Sequence, residues 1–318
     1  VNTTMSGVQS HPSVAALNQG WLTLWQSSSS TALGVEVIGR WVDATGTPTG
    51  AEITIPSQTG SDQTRPMVAS HGDSAMAVWE SNAVTPGSAS DIYGRTLDAN
   101  GEGIGEDILI SSGALSYRPA IAAFPDGTGY IAAWETQEGA DWDVYVRHYD
   151  QDGTPQSDPI IAHQTTQLDQ GNAAVAVGPS GYLIVCVEAT TNYGATAIGV
   201  SCQRITTNGL ELIGPEIDPS GLGSAQAQPS VGYLTDGSWA VAWESEELDG
   251  DLSGVQLQRY SAFGIPMGQR LLANRTWEGA QSHPVLLPFS GPLNAIMVGW
   301  RHEAADDADV FYRVLPGL

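Results

Sequence analysis

One unit of about 54 residues recurs six times along this chain, and the recurrence constrains the architecture more than any single residue does. A tryptophan closes an apolar run at Trp25, Trp79, Trp134, Trp243 and Trp300, with Val187 in that place in the fourth copy. A proline opens the units at Pro12, Pro66, Pro119, Pro229 and Pro284, replaced by Ala173 in the same copy. An arginine stands near the end of each, at Arg40, Arg95, Arg147, Arg204, Arg259 and Arg313. A unit this short cannot bury both faces of its own strands, so it needs neighbours. All 318 residues therefore read as one domain.

The third copy shows the strands most clearly. Residues 119–124 (PAIAAF) form a short apolar strand, and Pro125-Asp126-Gly127 turns the chain. Residues 130–134 (YIAAW) are a continuous apolar run, as expected of a strand covered on both faces. Residues 143–149 (DVYVRHY) alternate, Asp150 to Gly153 turns again, and residues 159–162 supply a fourth strand. Repeated six times, this four-stranded antiparallel meander predicts an all-β, six-bladed β-propeller. The blades fall at 9–56, 63–112, 116–163, 170–219, 226–274 and 281–318, the last completed by residues 1–4. The last copy ends after its third strand, so the N-terminal residues are expected to supply the missing outer strand and close the ring. The loops between second and third strands vary most, and binding groups belong there.

Charge narrows the partners. Acidic residues number 35 against 11 basic ones, a net charge of -24, and every basic residue is arginine. Six of those arginines belong to the repeat, which leaves too few for a phosphate-binding patch. Nucleic acid and membrane insertion are excluded as partners; a protein or glycan ligand is allowed, and the chain reads as a monomer. No apolar run is long enough to span a bilayer. The chain opens at Val1 without a visible signal peptide, as expected of a mature or trimmed product.

The order proline, short strand, Asp-Gly turn, apolar run to Trp-Glu, strand ending Gly-Arg, then Asp-x-x-Gly resembles tandem repeats of large secreted or surface proteins of bacteria. Pro66, Trp79, Glu80, Gly94, Arg95, Asp98 and Gly101 carry it in the second copy. The resemblance spans essentially the whole chain. It implies a six-bladed propeller located outside the cytoplasm or at the cell surface, and no agreed activity. The fourth copy, lacking both proline and tryptophan, departs most.

Candidate site residues come from two positions of the repeat. Glu80, Glu135, Glu188 and Glu244 follow the second strand; His11, Arg65, Arg118, Asn172, Gln228 and His283 precede the proline mark. Together they predict a polar mouth over a central channel, with His11, Arg65, Glu80, Arg118, Glu135, Glu188, Glu244 and His283 as ligand-binding residues. The alternative is a scaffold of arginine–carboxylate pairs tying blades together. The repeat arginines are expected to pair with Glu36, Asp91, Asp143 and Asp309, each four residues earlier on the same strand face. Two acidic loops, holding Asp249 and Asp251, and Asp306, Asp307 and Asp309, offer oxygen ligands for calcium; no other cofactor is expected. Cys186 and Cys202 fall on neighbouring strands of the fourth copy and are expected to form a disulfide, the alternative being two buried thiols.

These features support a non-catalytic secreted binding or scaffolding propeller that presents variable acidic loops, with Trp142, Tyr193 and Trp277 as exposed aromatic contacts. One alternative is a calcium-stabilised structural repeat of an adhesin. Another is a carbohydrate-active hydrolase or lyase using two central glutamates, which would require two carboxyls without an arginine partner.

Overall fold

The computed structural model describes residues 1–4, 6–28, 34–82, 90–111, 115–166, 169–190, 198–219, 221, 225–246, 252–275, 278–289, 294–304 and 307–316. These residues form 23 strands and no helix. The first meander is β1 (Val8–Leu17), β2 (Gly20–Ser28), β3 (Val35–Asp43) and β4 (Pro48–Thr54). The second is β5 (Asp62–His71), β6 (Ser74–Asn82), β7 (Ser90–Leu97) and β8 (Gly103–Leu109). The third is β9 (Ser116–Ala123), β10 (Gly129–Glu138), β11 (Asp141–Asp150) and β12 (Ile160–Ile161). Next come β13 (Gln170–Val177), β14 (Tyr182–Thr190), β15 (Ile198–Thr206) and β16 (Leu212–Ile217). The fifth is β17 (Gln226–Tyr233), β18 (Trp239–Glu246), β19 (Ser253–Tyr260) and β20 (Pro266–Leu272). The sixth is β21 (Ala280–Pro288), β22 (Ile296–Ala304) and β23 (Asp307–Leu315).

Five meanders are four-stranded, and a single residue pair, Ser253 with Ala280, joins the fifth to the three-stranded sixth. The chain divides into two compact units: Val1–Ala140 with Tyr145–Ile160, and Asp141–Val144 with Ile161–Leu318.

The core lies between successive sheets. In β6 the alternate residues Ala75, Ala77 and Trp79 pack with Leu22, Leu24, Val37 and Ile55 of the first meander. The intervening Met76 and Val78 pack the other way, with Ile121, Tyr130, Ala132 and Trp134. The second unit repeats the scheme: Trp239, Val241 and Trp243 meet Ile184 and Val200, while Ala240 and Ala242 meet Ile296, Val298 and Trp300. The continuous apolar runs of the sequence are thus strands with a sheet on each side. In the first two meanders a glycine precedes the repeat arginine, and core side chains of the same meander close over it. A Cβ on Gly94 would lie 2.9 Å from both Ile110 and Met76 side-chain carbons.

The Asp-x-x-Gly motif is a turn device. Asp98 Oδ1 accepts the Asn100 and Glu102 amides at 2.8 and 3.0 Å, and Gly101 takes φ 79°. Asp43 and Asp150 repeat it, with Gly46 and Gly153 in the same conformation. In the fourth meander Cys186 and Cys202 oppose each other across β14 and β15 and form the expected disulfide, Cα atoms 4.0 Å apart.

Two expectations are corrected. The repeat arginines do not pair with the acids four residues earlier; they reach past them to main-chain carbonyls. Arg95 donates through Nε and NH2 to Gly105 O and through NH1 to Ile55 O, where the preceding sheet's outer strand ends. Arg147 donates to Ser157 O, Arg204 to Phe263 O, and Arg313 to Leu272 O and Ala273 O. Arg259 is the exception, bonded to Asp236 and Ser238 at a neighbouring turn. Burial raises the Glu36 and Asp91 carboxyls above the usual range, Asp62 adding to the effect on Glu36.

The second correction concerns the N-terminus. Residues 1–4 form no strand. Thr3 and Thr4 bond the Glu52 carboxylate, and Val1 O accepts from Arg40. Burial works against ionisation of Glu52, yet the threonine hydrogen bonds hold its carboxyl down at about 2. Asp107 grips Ser57 and Gln58 in the same way, and Glu216 grips Gln164 and Thr165, so residues 3–4 occupy the place of an inter-sheet connector. Strand β23 has β22 as its strand partner and no outer neighbour among the described residues.

His163 ties the third strand to its connector. Its Nε2 accepts the Val144 amide at 3.1 Å while Nδ1 lies 2.8 Å from Thr165 O, so the neutral Nδ1–H form fits both contacts. Burial lowers its pKa, with Asp143, Thr165 and Glu216 opposing. A depressed histidine contributes stability that is present above its unfolded value, about 6.5, and lost as pH falls through the folded value. The denaturation midpoint is therefore expected to drop between neutral pH and pH 5. Asn274 and Ser111 accept the equivalent amides of Val255 and Ile92. His163→Asn is expected to keep the bond and flatten that part of the pH dependence; an identical pH profile in the variant would refute the assignment.

Candidate functional site

The residue before each proline mark adopts a left-handed backbone: His11 at φ 51°, Arg65 at 49°, Arg118 at 47°, Asn172 at 47°, Gln228 at 55° and His283 at 53°. Pairing between first and second strands slips at these points, as between Thr64 and Met67, so each is a β-bulge. A non-glycine residue in this region is strained and persists only when the surroundings hold it. At Arg65, Arg118, Gln228 and His283 the holding contact is a hydrogen bond from the bulge amide to the preceding sheet. The Arg118 amide donates to Glu80 Oε1 at 2.7 Å, and the Gln228 amide to Glu188 Oε1 at 2.6 Å. The Arg65 amide uses Gln26 Oε1 at 3.0 Å, and the His283 amide bonds Glu244. Gln26, Glu80, Glu188 and Glu244, which follow the tryptophan position of their copies, thus lock the next sheet's first strand in place.

Side chains then distinguish the two units. In the first, Glu80 lies 3.5 Å from Arg65 Nε and Glu135 lies 3.2 Å from Arg118 NH1, both carboxylates buried and both arginines half-exposed. Thr64 Oγ1 adds a bond to Glu80 at 3.1 Å. Burial lowers the His11 pKa and the Arg65 charge lowers it further, with Glu80 opposing. In the second unit, Asn172 Nδ2 bonds Glu188 Oε1 at 2.6 Å. Burial raises the Glu244 carboxyl above the usual range; the His283 charge and amide and a Ser253 hydrogen bond oppose this, and the Glu188 charge adds to it. Among the described residues, no arginine ion pair involves Glu188 or Glu244.

The structure therefore brings His11, Arg65, Glu80, Arg118 and Glu135 together in one unit, and Glu188, Glu244 and His283 in the other. Both ion pairs of the first group lie within one sheet, so arginine–carboxylate pairs do not tie one sheet to the next there; the bulge amide, a partner the sequence did not suggest, makes that tie from Arg118 to Glu80. Asn172, Gln228 and Ser253 also belong to the second group. Of these, Asn172 and Gln228 carried a signal, the place before the proline mark.

Of the calcium candidates, Asp249, Asp251 and Asp306 lie outside the described residues. Asp307 belongs to β23, and Asp309 is an exposed residue of that strand, opposite His302. No group of three metal-ligating side chains occurs among the described residues. Tyr193 and Trp277 also lie outside them; Trp142 is half-buried, its amide bonded to Asp169.

No protein-family model and no curated protein matches the sequence. Solved structures do. A protein of unknown function from Dyadobacter fermentans DSM 18053 superposes with a TM-score of 0.65 at 12% identity, covering 96% of this chain and 94% of that one. The Penicillium chrysogenum α-L-arabinanase complexed with arabinobiose gives 0.62 at 14% identity, covering 97% and 93%. The Trypanosoma rangeli sialidase in complex with the inhibitor DANA gives 0.61 at 10% identity, covering 96% of this chain and 55% of that one. These likenesses establish a propeller-like all-β fold. They also correct the expectation of a non-catalytic binding or scaffolding module, because the chain is similar in fold to an α-L-arabinanase and a sialidase.

Removing the Glu80 carboxyl leaves the Arg118 amide without its acceptor. Glu80→Ala is expected to cost about 2–3 kcal/mol in urea denaturation. Glu80→Gln is expected to cost less than about 1 kcal/mol, since Gln26 holds the Arg65 amide with an amide oxygen. Equal losses in the two variants would show that charge, not the bulge contact, matters.

Proposed function

We propose that this chain is a carbohydrate-active hydrolase whose catalytic pair is Glu188 and Glu244, carried on a six-bladed propeller that acts on a glycan outside the cytoplasm. One observation carries the reading: the two glutamates sit in neighbouring sheets, without arginine partners, in contrasting surroundings. Glu188 accepts two hydrogen bonds on one oxygen, an arrangement suited to a base or nucleophile. Glu244 has its carboxyl raised by burial, as a general acid requires. In glycoside cleavage the acid protonates the leaving oxygen while its partner attacks the anomeric carbon or activates water there. Glu80 and Glu135, neutralised by arginines, keep the scaffold role. The fold likeness to an arabinanase and a sialidase supports the reaction class. The disulfide and the repeat resemblance support the location.

The test is a panel of chromogenic glycosides and polysaccharides, including α-L-arabinofuranosides, arabinan and sialosides. Hydrolysis is expected for at least one. Glu244→Gln and Glu188→Gln should each lower kcat by roughly a thousandfold or more with unchanged Tm. Activity should fall as pH rises through the elevated Glu244 value, which lies above the ordinary glutamate value, and Glu244→Gln should erase that limb. Inactivity across the panel, or full activity in both variants, would sink the proposal.

A further inference from the structure

The sheet register sets a bulge residue beside the glutamate that follows the second strand of its own sheet. Thr64 pairs with Glu80, Tyr117 with Glu135, Gly171 with Glu188 and Ala227 with Glu244, each one position ahead of the bulge. Three of the bulge side chains take that neighbour as partner: Arg65 bonds Glu80, Arg118 bonds Glu135, and Asn172 Nδ2 bonds Glu188. Gln228 stands in the same place beside Glu244 and departs from the pattern. Its main-chain amide is engaged, with Glu188 Oε1 at 2.6 Å, while its carboxamide has no hydrogen-bond partner among the described residues. The side chain thus springs from a point between Glu188, which holds its amide, and Glu244, which flanks its strand.

Exposure follows the same division. Glu80 and Glu135, each paired with an arginine, are 4% and 5% exposed. Glu188 and Glu244, beside Asn172 and Gln228, are half-buried and reachable from solvent, as is Gln228 itself. The charges acting on Glu244 are those of His283 and Glu188. Arg301, which holds the corresponding place in the sixth sheet, is paired with Glu303 of its own strand. A carboxylated sugar unit between these glutamates would meet the Glu188 charge with no arginine paired there, among the described residues, to offset it. A hydroxyl suits the place better. It both donates and accepts, and so does a carboxamide, through its NH2 and its oxygen.

We propose that the Gln228 carboxamide is a substrate-binding group that hydrogen-bonds a ring hydroxyl of an uncharged sugar unit held between Glu188 and Glu244. The inference rests on the hydrolase reading for the nature of the site and adds to it a contact and a substrate class, neutral rather than acidic glycans. The bulge side chain then decides what becomes of the glutamate beside it: arginine closes over the carboxylate, and glutamine leaves it open and offers a ligand its own donor and acceptor.

The test is a calorimetric titration of neutral oligosaccharides (arabinotriose, xylotriose, cellotriose) and acidic ones (trigalacturonic acid, sialyllactose) into the Glu244→Gln chain, which does not consume them. Binding of at least one neutral sugar is expected, with every acidic sugar weaker. Adding Gln228→Ala should weaken that sugar about tenfold with unchanged Tm. In the otherwise unaltered chain, Gln228→Arg should pair with Glu244 as Arg65 and Arg118 pair with their glutamates. It should abolish neutral-sugar binding and move the Glu244 carboxyl titration, followed by carbon NMR without any sugar, to lower pH. No neutral sugar bound, tighter binding of an acidic one, full affinity in Gln228→Ala, or an unmoved Glu244 titration in Gln228→Arg would each overturn the proposal. Cleavage that is indifferent to Gln228→Ala would sink this inference and leave the hydrolase reading standing. Gln228-dependent binding of a neutral sugar that the unaltered chain never cleaves would support this contact and sink the hydrolase reading instead.

Discussion

Burial of both faces of the second strand is the constraint on which the remaining structure depends. Met76 and Val78 look one way along β6 and Ala75, Ala77 and Trp79 the other, and neither set can leave water without a sheet beside it. No meander is self-sufficient, so the chain must repeat and its repeats must stack. The residues that recur are accordingly ones that meet a neighbour: the tryptophan of five copies, which packs against the preceding core, and the arginine of all six, which in the second and sixth copies reaches the preceding outer strand.

The same logic separates scaffold from chemistry. A carboxylate that receives a bulge amide and an arginine is fully occupied. Glu80 is in that state, whereas Glu188 and Glu244 keep the amide contact and exchange arginine for Asn172 and His283 surroundings. A repeat protein can acquire a reactive site by relaxing a structural contact in a few copies while the others preserve the frame.

Much of this was legible from residues. The strands of the third copy, the Asp-x-x-Gly turns and the Cys186–Cys202 bond follow from local periodicity, turn chemistry and copy-to-copy alignment, all short-range signals. What was misread depends on contacts between sheets. Strand alternation places Glu36 and Arg40 on one face, and so suggests a pair; it carries no information about carbonyls exposed where a neighbouring strand ends. The left-handed bulges were hidden for another reason: a residue before proline ordinarily favours extended backbone, and only the captured amide reverses that preference. Residues 1–4 were assigned to a strand by position alone, while the Glu52 clamp that claims them is visible only in three dimensions.

The six bulges carry a consequence for how such a molecule diversifies. At four of them conformation is enforced by a main-chain donor and a distant acceptor, so the frame asks little of the side chain mounted there beyond tolerance of the unusual backbone. Histidine, arginine, asparagine and glutamine all occupy it in this one chain. The most strained positions of the skeleton are thereby the most interchangeable in chemistry, and a new specificity can be written there without rebuilding what surrounds it.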